Sequence, residues 1–416
     1  MMREEETVVK VERTNVVIYF VLLILLLFIC AVVFIKLRFP FWNTMPMFHT
    51  YDVGRYFIRT PCILPMNKDT YGGSGHCNFE KVKTFNYNVI EKKDVFLRLL
   101  QKHYLTTERT FNTNTIEDID SVLTGNLHPS FLSFYLEPTF SYVEDSVLPV
   151  AAAVPVGCIA SHAFWLRCTN ITLPVYYLDF LSIDKKETVK KRQLIQTHLS
   201  NQHALNPAVQ VSLFKKEGAP FSGLVPFVRF KTRYYSLLQT TSASPPLTNH
   251  YTIVRIYKEN TECLHGLANN TKFDISVIAD VPNIISMVKR GLLYAFVLKR
   301  KKEICGMYFV KDERTEWANV ADVEEGTSIR LIASWNNTFP EMFYRGFLHL
   351  LREIVSQHKT HRILKMDDIS DNSWIESRWI LQNRPFLEND NSYYFHHFIY
   401  PYHEAYSMNK KCFILI

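Results

Sequence analysis

The chain has 416 residues, 47% hydrophobic and 14% aromatic, which is enough for a sizeable core and for two or three domains or one duplicated domain. A net charge of +7 suits an anionic ligand or an anionic membrane surface, but it falls short of the concentrated basic stripe of a nucleic-acid binder. Eight scattered cysteines without a CxxC pair argue against a zinc site and read as free, buried thiols in a reducing compartment.

After a short polar N-terminus (1–15), "VVIYFVLLILLLFICAVVFI", Val16 to Ile35, is unbroken by charge. At ~1.5 Å per residue it matches the ~30 Å hydrocarbon core of a bilayer, and no signal-peptide cleavage site follows. It reads as a single transmembrane anchor. The near-balanced flanks, with Lys36 and Arg38 just past the span, do not fix its orientation. Asn170, Asn269 and Asn336 each head a glycosylation sequon, a short match that arises often by chance.

From Phe39 the pattern is soluble α/β. A linker with Pro40, Pro46, Pro61 and Gly72-Gly73 leads to a helix, "EKKDVFLRLLQKHYL". Strands follow at "PVAAAVPVGCIASHAFWLRC" and "LPVYYLDFLSI", then a short helix at "RQLIQTHLSNQ". "SASPPL", Ser242 to Leu247, marks an internal boundary, giving halves 36–245 and 246–416. The second half has a strand at "TIVRIYKEN", a hairpin over "LLYAFVLKRKKEICGMYFVK", a helix over "PEMFYRGFLHLLREIVSQH" and a strand at "RILKMDDI". The order of elements thus recurs loosely, which suggests two related α/β halves.

One strand runs straight into a basic cluster: "YYLDFLSIDKKETVKKRQL". A strand–turn–helix junction offers free backbone N–H groups and nearby cations, a combination that holds pyrophosphate, although charged loops are also common on surfaces. The stretch resembles the signature of the N-myristoyltransferases through Asp179-Phe180-Leu181 and Lys185-Lys186. "FPFWNTMP" is similar to that family's N-terminal segment through Phe41, Trp42, Thr44 and Pro46. "KMDDISDNSW" is similar to its strand-end motif through Asp368, Asp371 and Asn372, and "NSYYFHHFIYPYHEAYSMNKKCFILI" is similar to its closing segment.

The resemblance covers Phe39 to Ile416 and implies an α/β (α+β) fold of two fused GNAT-like halves behind the transmembrane helix. The first half would bind acyl-CoA and the second most of the peptide. Myristoyl-CoA would be the co-substrate, without a metal, held by Phe41, Trp42, Lys185, Lys186, Thr188, Val189, Lys190, Lys191, Arg192 and Gln193. The N–H groups of Phe180 and Leu181 would form the oxyanion hole. The carboxylate of Ile416 would be the base toward an N-terminal glycine, with Tyr104, Asp368 and Asn372 on the acceptor side. The partners implied are acyl-CoA, glycine-initiated proteins and the membrane. The ligands place the large domain in the cytosol.

Three stretches depart from the family pattern. Val228 and Arg229 stand where a Gly-Thr pair is expected. "FLENDN" replaces a glycine-rich run, with Leu387 poorly suited to positive φ. "LTTERT" keeps one acid, Glu108, in a normally acidic loop. His396, His397 and His403 read as core or surface histidines rather than metal ligands. The competing readings are a non-catalytic membrane-anchored protein that retains the fold and a GNAT-type acyltransferase with another donor.

Overall fold

The structure, a computed structural model, describes residues 2–65, 76–91, 93–141, 150–168, 171–237, 245–248, 250–264, 267, 272–320, 323–404 and 408–416. The Gly72-Gly73 pair, Asn170, Ser242 to Ser244 and Asn269 lie outside the described residues.

Helix α1 (Met2–Arg38) contains one stretch, Asn15–Arg38, that is long and apolar enough to cross a membrane. Its side chains from Val16 to Ile29 all stand exposed. A short helix, α2 (Pro40–Asn43), follows after one non-helical residue, Phe39.

The first half then runs β1 (Cys62–Ile63), β2 (Val82–Asn86), α3 (Lys93–His103), β3 (Thr110–Asn112), α4 (Ile116–Leu123), β4 (Phe131–Ser141), β5 (Val150–Cys168), β6 (Ile171–Ile183), α5 (Thr188–Leu205), β7 (Val211–Glu217) and β8 (Val228–Ser236). The second runs β9 (Tyr251–Arg255), β10 (Ile275–Ile278), α6 (Val281–Arg290), β11 (Leu293–Arg300), β12 (Glu303–Val320), β13 (Val323–Asn336), α7 (Pro340–Gln357), β14 (His361–Asp367), α8 (Asn372–Trp379), β15 (Leu387–His396), β16 (Phe398–Ile399) and β17 (Cys412–Leu415).

Local chemistry accounts for the helix limits. Thr115 and Asp118 close a reciprocal capping box on α4. Pro282 opens α6, and Gly291, at φ 74°, ends it in the left-handed conformation that glycine adopts without strain. Helix α7 opens on Pro340 and buries Phe343, Phe347, Leu350, Leu351 and Ile354, the stripe read from its spacing.

The halves share one sheet and exchange strands. In each, an antiparallel hairpin (β5–β6, β12–β13) is followed by a helix (α5, α7) and a strand parallel to its second member (β7, β14). Strand β15 from the second half sits between β7 and β8 of the first, and β8 in turn pairs with β14. The last strand, β17, runs parallel to β10, which pairs with β5.

Side-chain alternation gives each strand two packed faces. Met307, Phe309 and Ala333 join a core shared by both halves, while Tyr308, Val310 and Leu331 pack under α7 and α8. In the first half Tyr177 and Val175 face the shared core, and Leu178 and Leu181 face α5. The chain end belongs to this core: Cys412 to Leu415 are buried and Ile416 packs against the same cluster.

Several finer expectations change. The basic stretch Thr188 to Gln193 is the opening of α5 rather than a loop, so the helix starts four residues before Arg192. Leu387 begins a regular strand and is absent from the residues at positive φ, so the glycine-like conformation is not asked of it. None of the eight cysteines forms a disulfide, but Cys30 is exposed and Cys62 and Cys77 are half-buried.

Candidate functional site

The geometry is organised by one irregularity in β6. Ser182 pairs with Cys158 and Asp179 with Ala160, so Phe180 and Leu181 together oppose Ile159 in a β-bulge. Phe180 takes φ 55°, a conformation unusual for a bulky residue. Its ring is wedged between Phe96 (5.9 Å) and Tyr104 (5.2 Å). Its N–H donates to Asp179 Oδ1 at 2.7 Å, and the Tyr104 hydroxyl donates to the same oxygen at 2.6 Å. The bulge turns its two residues toward two different cavities: Leu181 lines one and Phe180 the other.

The first cavity, of about 370 Å³, lies between α2, β6, β7 and the start of α5. Its apolar wall includes Phe41, Trp42, Met45, Met47, Leu178, Leu181 and Phe214. Trp42 stacks on Phe214 at 5.9 Å and touches Phe221 at 4.2 Å. Thr188, Lys191, Arg192, Lys215 and Lys216 form the polar rim, and the Arg192 guanidinium lies 5.8 Å from the Phe41 ring.

Helix α5 has no side-chain cap at its N-terminus, and its first residue, Thr188, stands at this rim. The Lys191 ammonium is pushed below its ordinary range by desolvation and then by Lys216 and Lys185. Cations that crowd one another in this way favour an anion between them.

Six of the candidate residues therefore come together here: Phe41, Trp42, Leu181, Thr188, Lys191 and Arg192. The others turn elsewhere. Lys190 pairs with Glu137 (2.6 Å) and Glu187 (3.2 Å). Gln193 accepts from Tyr135 at 2.8 Å, and Val189 is exposed. Lys186 is exposed in the turn, and Lys185 lines a separate, wider groove while its Nζ reaches the Thr106 carbonyl at 3.4 Å.

The second pocket joins Tyr104, Phe180 and the terminal Ile416. Its lining holds the carboxylates of Asp179, Glu217, Asp312, Glu313 and Asp367, against three cations, Lys215, Lys311 and Arg330. Most of these charges are paired. Arg330 grips Asp367 through both of its oxygens (2.8 and 2.9 Å) and reaches Glu313 at 3.3 Å. Lys215 holds Glu217 at 3.0 Å, and Lys365 also pairs with Glu313. Burial acts to raise the Glu313 carboxyl, yet Lys365 and Arg330 outweigh it and hold the group at about 2. The Lys311 ammonium, pushed below its ordinary range by burial, lies 3.5 Å from the Ile416 oxygen. Lys215 lines both cavities, so they adjoin at Lys215 and at the bulge.

The wider groove of about 870 Å³ shares Leu105, Glu217, Glu313 and Arg330 with this pocket and continues past Glu108, Trp317, Tyr234 and Phe386.

Asp368 and Asn372 do not line either cavity or the groove. Alternation along β14 aims Asp367 at the charged pocket, whereas Asp368 accepts from Asn409 at 3.3 Å. Asn372 is buried and donates to the carbonyls of Asp367 (2.9 Å) and Leu331 (3.3 Å), tying the ends of β13 and β14 together. The sequence reading also missed Lys215, Glu217, Lys311, Glu313, Arg330 and Asp367. Arg330, Lys365 and Asp367 alternate with apolar residues along β13 and β14, but Lys215 to Glu217 and Lys311 to Arg314 are unbroken charge runs at or beyond mid-strand, which read as solvated turns.

His396 lines the apolar cavity, and the His397 ring lies against the His396 ring at 4.6 Å. Burial holds both rings below their ordinary range, and therefore neutral. Asn336 is buried and its side chain accepts from the Thr338 N–H at 2.9 Å.

No protein-family model matches the sequence, and no curated protein matches it. Solved structures do. Saccharomyces cerevisiae N-myristoyltransferase with bound myristoyl-CoA superposes with a TM-score of 0.63 at 11% identity, over 91% of this chain and 99% of that one. A second structure of the yeast enzyme with bound myristoyl-CoA gives 0.65 at 11% identity, over 91% and 94%. At this identity the likeness establishes the fold: the chain has the mixed α/β architecture of an N-myristoyltransferase behind one apolar N-terminal helix.

Proposed function

We propose that the chain transfers a myristoyl group from myristoyl-CoA to the N-terminal glycine of acceptor proteins. The observation that carries this reading is the bulge at Phe180-Leu181, which separates an apolar, cation-rimmed cavity from a carboxylate-rich pocket holding the chain terminus. A fatty-acyl thioester suits the first cavity, with the phosphates of CoA at the N-terminus of α5, Lys191 and Arg192. A peptide ammonium suits the second, where carboxylates outnumber cations. The wider groove would carry the rest of the peptide.

In this mechanism the thioester carbonyl lies at the bulge with its oxygen toward the Leu181 N–H. The Phe180 N–H joins only when the Asp179 carboxylate yields it. The Ile416 carboxylate takes a proton from the glycine ammonium. The free amine attacks the carbonyl carbon, the N–C bond forms, and the C–S bond breaks as the tetrahedral intermediate collapses. The second amine proton leaves with the thiolate as CoA thiol. Preorganised N–H donors of this kind typically contribute ~2.7–4 kcal/mol each. We further propose that α1 is the membrane anchor and that the large domain faces the cytosol, where both substrates are found.

Incubating the full chain with myristoyl-CoA and a panel of glycine-initiated peptides, followed by mass spectrometry, tests the reading. Myristoylated peptide is expected, with alanine-initiated controls unmodified.

A second reading, binding of acyl-CoA without transfer, is favoured by two contacts. Lys311 stands beside the terminal carboxylate, and Asp179 engages the Phe180 N–H. That reading gives acyl-CoA binding and no modified peptide.

A further inference from the structure

The apolar helix and the apolar cavity have no free linker between them. Ile35 ends the apolar run, and Phe41, six residues later, already lines the cavity. Six residues reach at most ~22 Å when fully extended, and less here because the first three are helical, so the cavity stays close to the end of the run. The junction is also packed. The Phe39 N–H donates to the Ile35 carbonyl at 3.0 Å, and the Ile35 side chain lies so close to Gly223 that an added Cβ there would come within 2.9 Å of it. Gly223 belongs to the segment whose Phe221 touches Trp42 and whose Leu224 packs in the cluster of Phe41 and Met45. Lys36 lies over the Tyr51 ring at 5.3 Å, and the Thr50 N–H donates to the Gly223 carbonyl at 3.0 Å.

These contacts fix residues 50–57 beside the end of α1. This same segment forms a 3-10 turn, Val53–Phe57, that buries none of its residues. Val53 is 50% and Phe57 76% exposed, at the two ends of this turn, and Arg59 is exposed beyond them. Lys36 and Arg38 are exposed at the helix end. Exposed apolar side chains on a segment docked beside exposed cations at the end of a span are suited to the boundary of an anionic leaflet. There apolar side chains enter the acyl region, and nearby Lys and Arg side chains are drawn to the anionic headgroups.

We infer that the face formed by Val53, Phe57 and the flanking cations rests on the phospholipid leaflet entered by α1, so that the acyl-donor cavity is held against the membrane surface. This rests on the reading of α1 as a span. The occupant is lipid rather than a second copy of the chain because the face is continuous with the span and carries the charge that an anionic leaflet attracts. The consequence is that an amphiphilic donor, which partitions into the leaflet, meets its cavity at the surface where it is already concentrated.

The test places the photo-crosslinking residue p-benzoylphenylalanine at position 57 of the full chain. The protein is reconstituted in vesicles of phosphatidylcholine and phosphatidylserine. Position 381, an exposed leucine of the second half, is the control. Illumination is expected to give a lipid adduct at 57 and none at 381, and adding Val53→Asp should reduce the adduct at 57. A protein–protein adduct at 57, equal lipid labelling at the two positions, or no adduct at 57 would overturn the inference. The readout requires no acyl transfer, so inactivity toward peptides leaves the result intact.

Discussion

The cavity beside α5 and the pocket at the chain terminus touch at one bulge, yet they are built from opposite materials. The first has an apolar wall, a cationic rim and a helix N-terminus, and its cations crowd one another without enough carboxylates to pair them. The second is a lattice of buried ion pairs in which nearly every charge already has a partner. The cationic rim gains from an incoming anion, while the pocket presents an ammonium with carboxylates that are largely committed. The difference teaches that the two sites place different demands on a sequence. The first needs apolar bulk with cations at its rim, whereas the second depends on the placement of individual charges.

The largest effect should fall on the paired lattice. Glu313 is buried between Arg330 and Lys365, so Glu313→Gln leaves buried cations uncompensated and should destabilise the fold by about 3–5 kcal/mol in urea melts. Its carboxyl sits at about 2 in the fold, below its ordinary 4.5. A depressed acid stabilises the fold above its unfolded value and loses that contribution as pH falls toward the folded one. Melting temperature should therefore drop between pH 4.5 and 2, and the drop should shrink in Glu313→Gln.

Next in size are the rim cations. Lys191→Ala with Arg192→Ala should weaken acyl-CoA binding roughly tenfold, as expected for loss of charge-assisted bonds to phosphate. The loss should narrow as salt is added. Lys190→Ala should change little, because that side chain is held by Glu137 and Glu187. Equal effects in titration calorimetry would show that the rim is not where the structure puts it.

Much of this was legible in the sequence. The apolar run, the β5–β6 and β11–β12 hairpins, α3 and α7 followed from periodicity, and Phe41, Trp42, Lys191 and Arg192 followed from motif and charge. The acceptor side was harder to read. Asp367 and Asp368 are adjacent acids on one strand, and only the register of β14 decides which faces the pocket. Lys311 and Arg330 are partners across the β12–β13 hairpin, but Lys215 comes from β7, far back in the chain, and no local pattern announces that the shared sheet brings it to the same pocket. The positive φ of Phe180 has no glycine to signal it, because Phe96 and Tyr104 hold the ring in place.

The smallest effect concerns Lys311, whose ammonium lies where an acceptor cation would approach the terminus. Lys311→Met keeps the volume but takes a cation from beside the terminal carboxylate, so some loss of stability should accompany it. KM for a glycine peptide should fall severalfold with kcat nearly constant. A rise in KM would make Lys311 a positioning residue for the terminus instead.

The division between the two sites is tested most directly at the chain end. The full chain, the chain lacking Leu415 and Ile416, and the chain extended by a short C-terminal peptide are compared in acyl-CoA binding and in single-turnover peptide acylation. The account predicts unchanged acyl-CoA affinity in all three and a loss of about 10²–10⁴-fold in transfer for the two altered ends, the usual contribution of a general base. Full transfer by the extended chain would contradict it.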